Sequence, residues 1–360
     1  CLFIPDSLNG KAPEILNPIG HTSIAFRGEH YQQLILNLVQ KGFIVFAFDP
    51  LGQGERLHYY EPADKDSRVG GPTAEHSYFG RQCFLNGVSS ARYFVWDGIR
   101  AIDYLLTREE VDPERIAVTG LSGGGTQTSY IMAMDERVSV AAPACYITSF
   151  ERLLRSIGPQ DAEQNFYRQI SRGLDHADFI EVRAPKPTLI VATTRDFFSI
   201  QGVRETFAEA RTAFDVLGSK ENLQMAVDDH THGYTKKTRE ALYAFMQKHL
   251  SNPGDPTDKE VEFLTPKELT VTDTGQAVTA LDGKRVFDYN KKTAERNLSE
   301  LEQRRRSFVD DPELITKSAL EISGYMSPLI ESSPVFMGAY QRENCRVEQV
   351  VLSSEGDCII

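Results

Sequence analysis

Apolar and polar positions follow two different periods along most of the chain, and the two periods alternate. Residues 43–48 form a continuous apolar run, which is typical of a strand buried on both faces of a parallel sheet. Just before it, residues 31–41 place four aliphatic side chains on one face of a helix, and Gly42 ends that helix. Because strand and helix patterns keep alternating, the sequence predicts an α/β fold. Its mostly parallel central sheet would carry helices on both faces.

The same alternation of apolar and polar positions predicts where the other strands and helices begin and end. Strands are predicted at residues 2–4, 14–16, 43–48, 116–119, 138–142, 188–192 and 223–227, and helices at 31–41, 89–106, 127–134, 202–217 and 235–250. Two long segments, 55–87 and 149–180, show little periodicity, the second being partly helical. Long irregular segments in a compact domain are usually functional or mobile, so we expect both to contribute to a site.

Composition and charge exclude several classes of function. The chain has 360 residues with 41% hydrophobic and 25% charged residues, which is ordinary for a globular protein. A formal net charge of -12 argues against a nucleic-acid partner, and no apolar stretch is long enough to span a bilayer. The five cysteines are scattered without a C-x-x-C pair, so neither a disulfide scaffold nor a zinc knuckle is predicted. We predict no cofactor and no metal.

One motif carries the chemistry. Gly120-Leu-Ser-Gly-Gly124 fits G-x-S-x-G, and it lies between a predicted strand and a predicted helix, the context that the motif requires. The turn would present the hydroxyl of Ser122 above the sheet, and the Gly123 N–H would face the position of an oxyanion. The alternative interpretation is a glycine-rich turn without chemistry.

A nucleophilic serine needs a base that a carboxylate orients, and both candidates follow later strands. Asp196 follows residues 188–192, and either His230 or His232 follows residues 223–227, with His232 preferred. Asp196 could instead be a helix cap. Asp161 or Glu163 could replace it as the orienting acid, or could shape a substrate pocket. A metal at residues 228–230 is only weakly supported.

These motifs resemble those of the α/β-hydrolase superfamily. They are Asp49-Pro-Leu-Gly-Gln-Gly54, Gly120-Leu-Ser-Gly-Gly-Gly-Thr-Gln127, Thr193-Thr-Arg-Asp196 and His232-Gly-Tyr234. The elbow and the segment Gly158-Pro-Gln-Asp-Ala-Glu-Gln-Asn165 resemble bacterial carbohydrate esterases of the acetylxylan-esterase-like kind. The resemblance covers residues 1 to about 250. It implies that Ser122 is the nucleophile, His232 the general base and Asp196 the acid. It also implies an oxyanion hole of the Gly123 N–H and a second N–H from residues 21–23, for which Thr22 is the candidate.

The predicted function is a serine esterase that hydrolyses an acetyl or methyl ester on a carbohydrate. The substrate-binding candidates come from the loops around the elbow: His21, Tyr78, Phe79, Arg81, Gln160, Glu163 and Tyr167. Aromatic faces beside polar groups suit a sugar ring. The alternatives are a prolyl-oligopeptidase-type peptidase and a non-catalytic carbohydrate-binding module. A small-molecule or oligosaccharide ester is the expected partner. A secreted or periplasmic location is expected, with a cytoplasmic location as the alternative. The oligomeric state is left open.

The C-terminal third is predicted to be separate from the hydrolase domain of residues 1–250. Residues 251–256 have linker composition, and residues 251–360 would form a linker and an α+β extension. Within it we expect a hairpin over 269–280, a charged helix over 290–308 and a strand, turn and strand over 345–360. This last pattern resembles the opening hairpin of another hydrolase domain. The chain would then be a segment of a longer tandem protein, or its own C-terminus would supply the first strands of its sheet. A strand at residues 2–4 favours a trimmed or internal start at Cys1 over a lipidated terminus.

Overall fold

A computed structural model describes residues 1–8, 10–308, 313–325 and 334–352. Within these ranges the chain forms two compact units, Cys1–Ala294 and Glu295–Ile360. The first unit contains the sheet, its covering helices and every residue of the candidate site. Among the described residues, no helix is both long enough and apolar enough to cross a membrane.

A seven-stranded sheet organises the first unit in the order β1-β3-β2-β6-β7-β8-β9. Its strands are β1 (Leu2–Phe3), β2 (Ala12–Pro18), β3 (Ile44–Phe48), β6 (Val111–Leu121), β7 (Val140–Ala144), β8 (Thr188–Arg195) and β9 (Leu223–Thr231). The short strands β4 (Tyr60–Glu61) and β5 (Asp66–Ser67) pair separately. Strand β1 is antiparallel to β3, and every other neighbouring pair in the seven-stranded sheet is parallel. The order reverses at β2, so the carboxyl ends of β2 and β6 open a crevice between them.

Helices cover both faces of this sheet. They are α1 (Glu29–Gln40), α2 (Pro72–Leu85), α3 (Ala91–Leu105), α4 (Gly123–Met134), α5 (Phe150–Leu154), α6 (His176–Glu181), α7 (Ile200–Val216) and α8 (Lys236–His249). Alternate strand residues enter different cores, as period two requires. Ile15 packs with residues of α1 and α8, whereas Leu16 packs with residues of α3, α4 and α7. The predicted α/β layers are therefore confirmed.

The segment that showed no periodicity contains a full helix. Helix α2 buries Glu75 and His76 together with Phe79, Gly80 and Cys83. The two Glu75 carboxylate oxygens accept hydrogen bonds from the backbone N–H groups of His58 and Tyr59. Because the buried face is half polar, the apolar spacing that identifies a helix is absent from it.

The last part of the chain differs from expectation in two places. The hairpin predicted over 269–280 is wrong, because residues 277–280 form the short helix α9 (Ala277–Ala280) after a turn. The predicted charged helix is α10 (Val286–Phe308), and α11 (Glu313–Ser323) follows it. The strand predicted near residue 347 is β11 (Cys345–Val351), but its partner is the preceding β10 (Val335–Arg342). The second strand, predicted near residue 358, lies outside the described residues.

Residues that follow α8 in the sequence, up to Ala294, are part of the first unit and pack against its earlier segments. The Gln276 side chain donates to the Gly54 carbonyl oxygen at 2.7 Å, and the Asn290 side chain donates to the Phe79 carbonyl oxygen at 3.1 Å. The compact unit accordingly extends to Ala294. The functional division predicted at residue 250 stays a prediction.

Candidate active site

The serine of the elbow lies at the crevice between β2 and β6. Ser122 directly follows the last residue of β6 and precedes the first residue of α4, so the sequence context predicted for it is confirmed. Its backbone has φ 59 and ψ -122, a conformation that non-glycine residues rarely adopt. The Ser122 N–H donates to the Ala144 carbonyl oxygen at 2.9 Å, which ties the turn to the end of β7. Strain of this kind is retained where the surrounding structure holds the residue in place.

Two glycines let the elbow pack against the end of β2. A Cβ added at Gly120 would lie 2.7 Å from the Gly124 carbonyl oxygen, and it would also collide with the Pro18 carbonyl oxygen. A Cβ at Gly124 would meet the same Pro18 oxygen and would lie 3.1 Å from the Gly20 nitrogen. Glycine at these positions therefore permits the close approach of β2 and its following loop to the serine turn.

His232 is paired with Asp196 at the ends of β8 and β9. The His232 Nδ1–H donates to both carboxylate oxygens of Asp196, at 2.9 and 3.0 Å. The Asp196 side chain is buried, and it also accepts from the Phe198 N–H at 3.0 Å. Ser199, not Asp196, caps α7, so the alternative role of Asp196 as a helix cap is wrong. The Phe197 ring stacks on the His232 ring with centroids 4.2 Å apart.

The residue after Ala144 connects the pair to the serine turn. Cys145 follows the Ala144 carbonyl that binds Ser122, and its Sγ lies within 4.8 Å of ligand atoms of both Asp196 and His232. The three catalytic candidates are thus gathered around the end of β7. His230 lies at the exposed end of β9, two residues before His232, and its Nδ1 contacts the Thr231 carbonyl oxygen at 3.0 Å. The preferred histidine is therefore the one that Asp196 binds.

The loop after β2 is fixed beside the serine. The Gly20 N–H donates to the Tyr31 hydroxyl at 2.9 Å, so it is not free to bind an oxyanion. The buried Gln53 side chain donates to the carbonyl oxygens of Gly20 and Thr22, at 2.7 and 3.3 Å. A Cβ at Gly20 would lie 3.1 Å from the Ser122 Cβ, which shows how closely the loop approaches the nucleophile. The remaining candidates for a second oxyanion donor are the next N–H groups, among them that of Thr22.

A histidine–carboxylate cluster of His21, His76, Asp161 and Glu163 lies against the elbow. His21 Nε2 is 2.8 Å from Glu163 Oε1, 3.0 Å from Asp161 Oδ2 and 3.1 Å from His76 Nδ1. His76 Nδ1 is 2.9 Å from Asp161 Oδ2 and 3.0 Å from Glu163 Oε2. A Cβ at Gly123 would lie 2.8 Å from the His21 Cε1 and 3.0 Å from its Nδ1, so this ring contacts the turn after the serine.

Burial and charge compete within this cluster. Burial alone would lower the pKa of His21, but the carboxylates of Glu163 and Asp161 outweigh burial and raise the pKa to about 10. The same opposition raises the pKa of His76 to about 9. Burial would raise the pKa of Asp161, yet hydrogen bonds from the two imidazoles hold it far below its usual range. Glu163 is therefore committed to His21 and His76, and the proposal that it orients His232 is wrong for this geometry.

The structure corrects several of the predicted substrate contacts. Phe79 is fully buried among Leu51, Cys83 and Phe94, so it cannot line a pocket mouth. Tyr78 and Arg81 lie on the exposed face of α2, away from the buried His76. Tyr167 lines a groove with Arg92 and Met134, which is the last residue of α4. Met134 is separated from the serine turn by the length of α4, about 18 Å. Gln160 is half-buried beside Asp161, near the cluster.

Two residues at the site were not among the predicted ones. His76 lies in the segment without apolar periodicity, where only its residue type signalled a role. Phe197 follows Asp196 directly, and the sequence did not reveal that its ring would stack on His232. Gln53 belongs to the quoted 49–54 motif, but its hydrogen bonds to the loop after β2 required the structure.

Known proteins share this architecture. The family model described as acetyl xylan esterase (AXE1) matches residues 1–179, which include the elbow. The Bacillus subtilis protein YtaP, assigned as a hydrolase, is 24% identical over 218 residues, covering 59% of this chain and 67% of YtaP. The structure of the methylesterase BT1017 aligns with TM-score 0.60 and 21% identity over 83% of this chain. The Bacteroides fragilis protein BF1801, assigned as an acetyl xylan esterase, aligns with TM-score 0.50 and 16% identity over 74% of this chain and 68% of that protein.

The two solved structures confirm the α/β-hydrolase fold. The family match and YtaP confirm the resemblance to acetylxylan-esterase-like proteins and the classification as a hydrolase. The chain spans 63% of the length of the methylesterase that it matches. Asp196 and His232 lie beyond the 179 residues of the family match, so their assignment depends on the geometry described above.

Proposed function

We propose that this α/β-hydrolase, which resembles the acetylxylan-esterase-like carbohydrate esterases, hydrolyses an acetyl or methyl ester on a carbohydrate through an acyl-enzyme on Ser122. The observation that carries the proposal is a serine at φ 59 on the turn between β6 and α4, tied to the end of β7, where a histidine bound by a buried aspartate also lies near Cys145. A serine hydroxyl is a weak nucleophile at neutral pH, and this arrangement supplies the base and the oriented acid that it needs.

The proposed reaction has two halves. His232 Nε2 takes the proton of the Ser122 hydroxyl while Oγ attacks the ester carbonyl carbon. Asp196 holds the other ring nitrogen and stabilises the imidazolium. The negative oxygen of the tetrahedral intermediate is bound by the N–H groups of Gly123 and Thr22, and the positive end of the α4 dipole adds to this stabilisation. The alcohol leaves with the proton of His232, and water activated by His232 then releases the acid.

The carbohydrate assignment is supported by the family match and by one aromatic side chain. Phe197 is 44% exposed and stacks on the proposed general base. An exposed ring beside the base can contact the apolar face of a sugar. Gln160, near the histidine–carboxylate cluster, is a polar group that could bind a sugar hydroxyl. Phe79 and Tyr167 do not support this assignment, because Phe79 is fully buried and Tyr167 lines a groove that contains the last residue of α4.

Matched esters test the proposal. We expect kcat/KM for a sugar ester to exceed that for an alkyl ester with the same acyl group, and Phe197→Ala to reduce this ratio. Tyr104→Ala is the control, because it removes a ring that is 43% exposed from α3. Equal kcat/KM values for the two esters, unchanged by Phe197→Ala, would reduce the proposal to an ester hydrolase without carbohydrate specificity.

A further inference from the structure

The four side chains of the histidine–carboxylate cluster converge on one point. Five distances between atoms of different side chains lie between 2.8 and 3.1 Å. Nitrogen and oxygen ligands of a tetrahedral Zn²⁺ ion, each about 2.0 to 2.1 Å from the metal, lie roughly 3.3 Å from one another. The cluster therefore has nearly the spacing of a tetrahedral coordination sphere.

The tautomer of His76 is fixed from outside the cluster. Its Nε2 is 2.7 Å from the Leu51 carbonyl oxygen, which can only accept, so Nε2 carries a proton. The lone pair of a neutral His76 then points from Nδ1 at the carboxylates and at His21. A backbone carbonyl bound to the far nitrogen is the usual second partner of a metal-bound histidine.

The carboxylates are oriented in the same way. Asp161 turns Oδ2 toward both imidazoles, while its Oδ1 accepts from the Gln164 side chain at 2.9 Å. Glu163 is 2% exposed, and its Oε2 has no hydrogen-bond donor in the described structure although it lies 3.0 Å from His76 Nδ1. A divalent ion at the centre would displace the proton that the carboxylates otherwise hold on Nδ1, and the lone pair of His76 and Glu163 Oε2 would then both bind the ion.

The fold is built to bring these residues together. His21 comes from the loop after β2, His76 from α2, and the two carboxylates from residues 161–163. A Cβ at Gly80, one turn after His76, would collide with the Cβ of Ala162. The absence of a side chain at position 80 thus allows α2 to approach the carboxylate segment closely enough for the contacts of His76.

We propose that the histidine–carboxylate cluster binds one divalent transition-metal ion, with Zn²⁺ the best fit to the spacing and to the mixed nitrogen and oxygen ligands. Imidazole nitrogens argue against Ca²⁺ and Mg²⁺, which take oxygen ligands. Four protein ligands make the coordination closed, so the ion would have a structural role. Bound at His21 Nε2, it leaves the ring proton on Nδ1, the nitrogen that faces Gly123. This inference does not depend on the proposed function.

Metal content is the direct test. Protein purified without a histidine tag is extracted with dipicolinate, reloaded with Zn²⁺ alone and freed of excess ion, and its zinc is measured by mass spectrometry. We expect about one Zn²⁺ per chain, and a higher Tm for the loaded protein than for the extracted protein. Co²⁺ in place of Zn²⁺ should give the visible absorption of tetrahedral cobalt.

Variants assign the ion to the cluster. Glu163→Gln and His76→Gln should each lose the bound Zn²⁺ and the rise in Tm, whereas His230→Gln, which changes an exposed histidine, should keep both. If His76→Gln does not fold, the Zn²⁺ content of Glu163→Gln is compared with that of wild type after the same extraction and reloading. The proposal is overturned if folded wild type retains no Zn²⁺, Co²⁺ or Mn²⁺, or if Glu163→Gln retains as much as wild type. Zinc without ester hydrolysis would contradict only the proposed function, and ester hydrolysis without metal only this inference.

Discussion

Asp196 holds His232 with both of its carboxylate oxygens, at 2.9 and 3.0 Å from the same ring nitrogen. The Asp196 side chain is 2% exposed and that of His232 is 24% exposed, so the acid is enclosed while the base reaches the surface. A proton held on Nδ1 leaves the lone pair on Nε2, where a serine hydroxyl can donate to it. This relationship makes His232 the base of the proposed triad.

Replacing the acid should damage turnover far more than binding. Asp196→Asn keeps the shape but favours the wrong tautomer of His232, and we expect kcat to fall about 10⁴-fold. Asp229→Asn is the matched control from the neighbouring end of β9, because Asp229 is exposed and pairs with Arg195. It should stay near wild type. A kcat for Asp196→Asn close to that of the Asp229→Asn control would contradict the role of Asp196 as the orienting acid.

Cys145 lies beside Asp196 and His232, yet its thiol should be inert. Burial and the neighbouring Asp196 raise the pKa of its thiol to about 12. At neutral pH only about one thiol in 10⁵ would be ionised, and the thiolate is the reactive form. We expect iodoacetamide to modify the exposed Cys345 in the native protein and to leave Cys145 and ester hydrolysis unchanged. Peptide mass spectrometry that shows Cys145 alkylated in the folded protein, with loss of activity, would contradict this.

The contact between α2 and residues 162–164 can be tested with variants of Gly80 and Ala162, alone and combined. Gly80→Ala should lower the free energy of unfolding by about 1 to 3 kcal/mol, because overpacking outweighs the gain of roughly 1 kcal/mol in helix propensity. Ala162→Gly removes the methyl group that would collide with the new one. The double variant should therefore recover part of the loss in a denaturant titration. Strictly additive losses would show that the two positions are not in contact.

Glu14 should destabilise the fold at neutral pH. It is fully buried in β2, neither carboxylate oxygen has a partner in the described structure, and burial raises its pKa well above the value of 4.5 usual for a glutamate. Below that value both folded and unfolded chains are protonated. As the pH rises, only the unfolded chain gains from ionisation, so stability is lost.

Glu14→Gln removes this dependence. From about pH 5 to pH 8 we expect the variant to gain stability over wild type, reaching about 1 to 3 kcal/mol. Glu221→Gln, on the exposed turn before β9, should show no such gain. A Glu14→Gln difference that is constant or shrinks with rising pH in thermal unfolding would contradict the account.

The strands and the strand–elbow–helix context of Ser122 could be predicted from the sequence because each has a strong local signal. Parallel strands are apolar on both faces, and the elbow combines a motif with its required neighbours. The apolar pattern does not predict helix α2, because the buried face of this helix includes Glu75 and His76. Hydrogen bonds satisfy these two polar side chains inside the protein, and the spacing of apolar residues does not reveal such bonds. For the same reason the cluster of His21 and His76 could not be predicted, since its members are separated along the chain and meet only across the fold.

The aromatic residues of the two long segments could be listed from the sequence, but their positions in the fold could not be predicted. Phe79 and Tyr167 belong to segments that leave the sheet near the serine, but Phe79 enters a core and Tyr167 lines a groove with Arg92 and Met134. The sequence shows which segment contains an aromatic side chain. It does not show whether that side chain faces the core, the site or another part of the surface. Phe197 was identified only by its stacking on His232.

Covalent labelling of Ser122 tests the central claim most directly. A fluorophosphonate reacts with a serine that a neighbouring base activates, and the adduct can be assigned by peptide mass spectrometry. We expect one adduct, on Ser122, with loss of ester hydrolysis in proportion to labelling, and neither labelling nor hydrolysis in a folded Ser122→Ala variant. An unlabelled wild type that still hydrolyses esters, or near-normal hydrolysis by Ser122→Ala, would contradict the account.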